Sequence, residues 1–166
     1  MLYFPEKRPF FLLDKGEQII NIDSMKTGIV SDHGGYQLKE EIKKRFHNIK
    51  WLDFGCPNEE SVDYPDMAKK MSDAILKNEI QTGIAICGTG IGISIALNRN
   101  KKIRAALCHN ILTAEMARKH NDANILCLGG RILNGEQAGS IVETFFSTNF
   151  EGGRHERRIE KLDTIF

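Results

Sequence analysis

The sequence predicts a three-layer α/β/α sandwich built on a five-stranded, mostly parallel sheet. Three observations carry this expectation. From Lys26 onward, short apolar runs alternate with amphipathic stretches in the order strand, turn, helix. The runs are bounded by glycine or polar turns, and their alternation with helices implies a sheet covered on both faces. Polar clusters recur where the strands end, which is where open parallel sheets bind ligands.

The elements follow in chain order. Residues 1–24 show no sustained period, and the patch Phe10-Phe11-Leu12-Leu13 is flanked by acidic residues and too short for a signal-peptide core. This segment reads as an extension outside the main fold, with Met25 an alternative start and residues 25–166 a single domain. Thr27 to Ser31 reads as the first strand, ending in Asp32-His33-Gly34-Gly35. Leu38, Ile42 and Phe46 then mark one face of a helix. Ile49 to Phe54 reads as the second strand, and Ser61-Val62-Asp63-Tyr64-Pro65 opens a helix carrying Met67, Met71, Ala74 and Ile75. Ile84 to Ile86 forms the third strand, reaching Cys87 and a glycine-rich turn before a helix-compatible run from Ile91. Ile103 to Cys108 and Ile125 to Leu128 complete the sheet, with a helix between them from about Ile111 to Lys119. Two more helices are expected, from about Gly135 to Ser147 and from about Arg154 to Lys161. The result is a Rossmann-like arrangement with Asp32-His33, Cys87-Gly88-Thr89, His109-Asn110 and Arg131 at strand ends.

Composition excludes several function classes. A net charge of +1 is unlike the basic excess of nucleic-acid or membrane-surface binders. No apolar run approaches the ~18 residues of a membrane span. The four cysteines contain no C-x-x-C pair, so disulfides and a thiolate zinc site are not expected, and a reduced, cytoplasmic protein is. Cys108 and Cys127 sit in strand runs and read as core residues.

Cys87 is different, because thiol, hydroxyl and backbone amides converge at Cys87-Gly88-Thr89-Gly90-Ile91-Gly92. The glycine spacing does not match G-x-G-x-x-G, and no acidic residue ends the next strand, so a dinucleotide site is excluded. A cysteine phosphatase loop needs arginine where Ile93 stands. What remains is a thiol beside amide donors and a helix start, where a thiolate base is accessible. His120 follows a helix with basic neighbours, and Arg154 and Arg158, four apart, share a helical face suited to one phosphate.

Five motifs in register resemble the ribose-5-phosphate isomerase type B family, within the group that includes galactose-6-phosphate isomerase subunits. They are Ser31-Asp32-His33-Gly34-Gly35, Asp63-Tyr64-Pro65, Ile86 to Gly92, His120-Asn121-Asp122-Ala123-Asn124 and Glu151-Gly152-Gly153-Arg154-His155. The resemblance implies metal-free and cofactor-free isomerisation of ribose 5-phosphate to ribulose 5-phosphate, a step of the non-oxidative pentose phosphate pathway. It implies Cys87 as the general base, with Thr89 in the catalytic loop and His120 as the ring opener. Substrate contacts are implied for Asp32, His33, Tyr64, Gly88, Gly90, Gly92 and Asn121, and phosphate contacts for Arg131, Arg154 and Arg158. It further implies a homodimer or dimer of dimers whose sites are completed by the partner chain. Isomerisation of a six-carbon substrate, allose or galactose 6-phosphate, and a non-catalytic sugar-phosphate-binding regulator are the competing readings.

Overall fold

In a computed structural model, residues 11–13, 19–21 and 26–165 are described. Most of the expected extension, and Met25, lie outside them. Within it, Phe11–Leu13 (β1) and Ile19–Asn21 (β2) pair antiparallel as a separate two-stranded sheet. Runs of three residues are too short to produce a sequence period.

The main sheet contains Thr27–Ser31 (β3), Trp51–Asp53 (β4), Thr82–Cys87 (β5), Ala105–Leu107 (β6) and Ile125–Gly129 (β7). Its order is β4-β3-β5-β7-β6 and every pairing is parallel. The helices are Tyr36–Arg45 (α1), Tyr64–Leu76 (α2), Ile91–Leu97 (α3), Ile111–Asn121 (α4), Gly135–Ser147 (α5) and Arg154–Ile165 (α6). Two edge strands are shorter than expected. Ile49 turns back to donate to Phe46 O, and the Arg104 amide donates to the Asn124 side chain, so both amides are taken out of the ladder.

Alternation along the strands builds two cores. Ile29, Ile84, Ile86, Leu126 and Leu128 face one side, packed with Leu38 and Ile42 of α1, Ala114 of α4 and Phe145 of α5. Val30, Ala85, Cys87, Ile125 and Cys127 face the other, with Met67 and Met71 of α2 and Ile93 and Leu97 of α3. Connections that run toward β4 place their helix on the first face, and those running the other way use the second, as right-handed crossovers require. From β3 the chain moves to one side for β4 and to the other for β5. A crevice therefore opens between the carboxyl ends of β3 and β5.

Lys39 secures the loop beside that crevice. Its amine, buried in α1, donates to Asp53 Oδ2 at 2.8 Å and Cys56 O at 3.2 Å. Among the described residues, no helix is long and apolar enough to cross a membrane.

Candidate active site

The predicted residues fall into two groups. The first lies on the loops after β3, β5 and β7. Gly90 adopts φ +78°, and this left-handed step turns its N–H onto Cys87 Sγ at 3.1 Å. Only glycine fits, since a Cβ there would lie 2.5 Å from Leu107 Cδ1 and 2.9 Å from the Leu128 carbonyl carbon. Cys87 is 4% exposed, on the α2–α3 side of the sheet. The next loop is stitched to it, with Gly130 N–H donating to Cys87 O at 2.8 Å and Arg131 N–H to Gly88 O at 2.9 Å. The Arg131 guanidinium lies over Gly88, where a Cβ would be 3.3 Å from Nη1.

Asp32 sits on the same edge. Its amide donates to Ile86 O, and its carboxylate accepts from Gly35 N–H at 3.1 Å. Burial pushes its carboxyl upward, against the opposing pull of His33, the Gly34 and Gly35 amides and Arg131. His33 Nδ1 lies 3.2 Å from Val62 O and 3.3 Å from Val62 N, which fixes the loop leading into α2. That loop delivers Tyr64, whose ring covers Gly92. A Cβ at Gly92 would stand 2.8 Å from Tyr64 Cζ.

The amides from Gly88 to Ser94 are not all available as donors to an oxyanion. Gly90 N–H is used by Cys87 Sγ, Ile91 N–H by Thr89 Oγ1 at 3.3 Å, and Ser94 N–H by Gly90 O. The Gly90 contact instead places a donor on the sulfur itself. Thr89, exposed, accepts through its oxygen, and its own proton remains a donor group.

The second group lies on α4 and α6. His120 stands in the last turn of α4, rather than beyond it. Asp122 closes the helix at φ +43°, and its carboxylate binds Arg104 and Arg118 at 2.9 Å each. Asn124 holds the start of β6, so this half of the His120–Asn124 motif is structural. His120, Asn121, Arg158, His155, Ile159 and Leu162 line a cavity of about 330 Å³. The His120 ring lies against that of His155, with centroids 4.3 Å apart and planes 7° apart. Glu151 Oε2 is 3.9 Å from His120 Nε2 and 3.8 Å from His155 Nε2. These three donors could approach a metal ion. As placed they do not fit one, because the in-plane lone pairs of two stacked rings lie in separate, nearly parallel planes and do not converge, and Arg154 Nε already contacts His155 Nε2 at 3.4 Å.

Topology separates the two groups. Each strand of a parallel sheet points the same way, and α4 runs back from the carboxyl edge to the amino edge before β7 begins. Cys87 is level with Gly129, while His120 precedes Ile125. At about 3.3 Å per residue, the two lie more than about 13 Å apart along the strands. One chain therefore does not bring Cys87, Asp32, His33, Tyr64 and Arg131 together with His120, Asn121, Arg154 and Arg158. Sequence reasoning also assigned no role to His155 and Glu151, although their spacing of four and their place in the glycine-rich motif were a signal. His109-Asn110 resolves differently, since Asn110 is the N-cap of α4 through a reciprocal capping box with Thr113.

Cys108 and Cys127 are buried in the core. Burial pushes the Cys108 thiol up to about 11, and holds Cys127, fully enclosed beside Cys108 and Cys87, well above the usual thiol range. At pH 8 a thiol of pKa about 11 is ionised in only about one molecule per thousand. Native protein treated with iodoacetamide at pH 8 is expected to leave Cys108 and Cys127 unmodified in peptide mass maps. Labelling of either at the rate of a free thiol would contradict this burial.

Comparisons with known proteins agree with this architecture. A family model described as Ribose/Galactose Isomerase matches residues 27–162. The crystal structure of a ribose 5-phosphate isomerase from Thermotoga maritima is 53% identical and superposes with a TM-score of 0.83, covering 85% of this chain and 99% of that one. The type B ribose-5-phosphate isomerase of Clostridium thermocellum is 50% identical, with a TM-score of 0.82 over 85% of this chain and 97% of its own. Ribose-5-phosphate isomerase B of Escherichia coli is 40% identical over 142 residues, 84% of this chain and 95% of its own. Motif, fold and similarity over most of the chain thus coincide, and this chain belongs to the ribose/galactose isomerase family.

Proposed function

We propose that the protein interconverts ribose 5-phosphate and ribulose 5-phosphate at a site shared between two copies of the chain. The observation that carries the reading is the Cys87 sulfur, held at a strand end by the Gly90 amide. In the open-chain aldehyde, Cys87 as thiolate removes the proton at C2, giving an enediolate. The same proton returns to C1 from the sulfur, and O2 becomes the ketone oxygen as its proton passes to O1. One base thus moves one proton and no electrons leave the substrate, so the step requires no cofactor or metal. The Thr89 hydroxyl supplies a hydrogen bond to the developing oxyanion. Ribose 5-phosphate is mostly a closed ring, and His120 opens it by moving a proton between O1 and the ring oxygen. Arg131, Arg154 and Arg158 hold the phosphate, with Asp32, His33, Tyr64 and Asn121 along the sugar.

The shared site is supported by the separation of the two groups and by the apolar surface beside them. Ile91, Ile95, Ile111, Leu112 and Ile132 are all more than half exposed near the Cys87 edge, and Leu162 and Ile165 of α6 are 48% and 66% exposed. A second copy that covers these surfaces brings its α4–α6 end over the Cys87 loop. A homodimer, or a pair of dimers, in the cytoplasm is the assembly this reading requires.

A coupled assay on ribose 5-phosphate, allose 6-phosphate and galactose 6-phosphate tests the substrate. The expected result is the highest kcat/KM on ribose 5-phosphate. A six-carbon substrate turned over more efficiently would reassign the enzyme within its family, and turnover of none would leave a sugar-phosphate-binding protein.

A further inference from the structure

His155 takes no part in the reaction proposed above, yet it is built into the ring-opening group. It is 5% exposed, an unusual place for an imidazole, and lies flat against the half-exposed His120 at a 4.3 Å centroid distance. The chain is shaped to put it there. Gly152 and Gly153 take φ +67° and +57°, a pair of left-handed steps that start α6, and His155 N–H donates to Gly152 O at 3.1 Å. Just before them, Glu151 N–H donates to Lys119 O at 3.1 Å, which docks the turn on the end of α4. On its other side, His155 Nε2 accepts from Arg154 Nε at 3.4 Å.

We infer that His155 is a positioning residue: its ring is the plate that fixes the plane of the His120 imidazole for ring opening, and it ties that imidazole to the Arg154 phosphate grip. Without such a plate, a side chain in the last turn of a helix is free to turn about both its dihedrals. The charges around the pair favour this division of labour. Burial, with His120, Arg154 and Arg158 nearby, holds His155 below the ordinary imidazole range, against an upward pull from Glu151. On the α4 side, Lys119 is paired with Glu115. His155 is thereby kept neutral and does not compete for the proton that His120 moves.

The inference rests on the ring-opening role of His120, and its test separates the two. Ribulose 5-phosphate is acyclic, because its C5 oxygen carries the phosphate and cannot close a five-membered ring on C2. Turnover that starts from it bypasses ring opening. In His155→Gln, which keeps an acceptor for Arg154 and removes the ring, kcat from ribose 5-phosphate is expected to fall about 10- to 100-fold. The reverse reaction from ribulose 5-phosphate should stay within about twofold. Equal loss in both directions, or undiminished forward turnover, would overturn the proposal. In the wild type, proton NMR should place the His120 Cε1–H upfield of an unstacked imidazole. A resonance at the unstacked position overturns the stack whether or not the variant folds. If His120→Ala itself loses both directions equally, the ring-opening role falls, and the NMR result still judges the stack.

Discussion

Cys87→Ala is expected to lower kcat on ribose 5-phosphate by at least the 10²- to 10⁴-fold typical of a general base. The nearby thiols and Asp32 are poor replacements. The neighbouring thiols of Cys108 and Cys127 are held protonated by burial. Asp32 is buried and already accepts from Gly35 N–H, so it is not a free base on the Cys87 loop. KM should change little, because the arginines that hold the phosphate are untouched. The fold should also survive, since the substitution removes one sulfur and its contact with Gly90 N–H. Steady-state kinetics beside a thermal melt check both parts. Near wild-type turnover in a folded Cys87→Ala enzyme would remove Cys87 as the proton carrier.

Much of this was legible in the sequence because it depends on local pattern. Alternating apolar runs gave the five strands and their helices, and Gly90 and Asp32 announced turns whose geometry the structure shares. Edge strands were over-extended because hydrophobicity does not reveal where a backbone amide leaves the ladder, as at Ile49 and Arg104. The use of the loop amides was likewise invisible, since it depends on the φ of a single glycine. The His155–His120 stack arises from packing of α6 on α4, elements far apart in the chain, and no periodicity encodes it. The largest difference is spatial. The motifs read as a single list, whereas the direction of α4 places two of the five at the opposite edge of the sheet.

That separation sets the second large effect. With one site formed by the Cys87 edge of one copy and the His120 end of another, a mixed dimer of Cys87→Ala and His120→Ala chains contains one site with both groups intact. Its other site lacks both. Random pairing of equal amounts makes half the dimers mixed, so about a quarter of wild-type sites are restored. If each site were built within a single chain, every site in the mixture would lack one group.

The direct measurement is therefore the forward rate of the two variants, alone and after co-refolding at equal concentration. The account predicts activity well above the sum of the separate variants, approaching about a quarter of wild type. A mixture no more active than that sum, with mixed dimers shown to be present, would contradict the shared site.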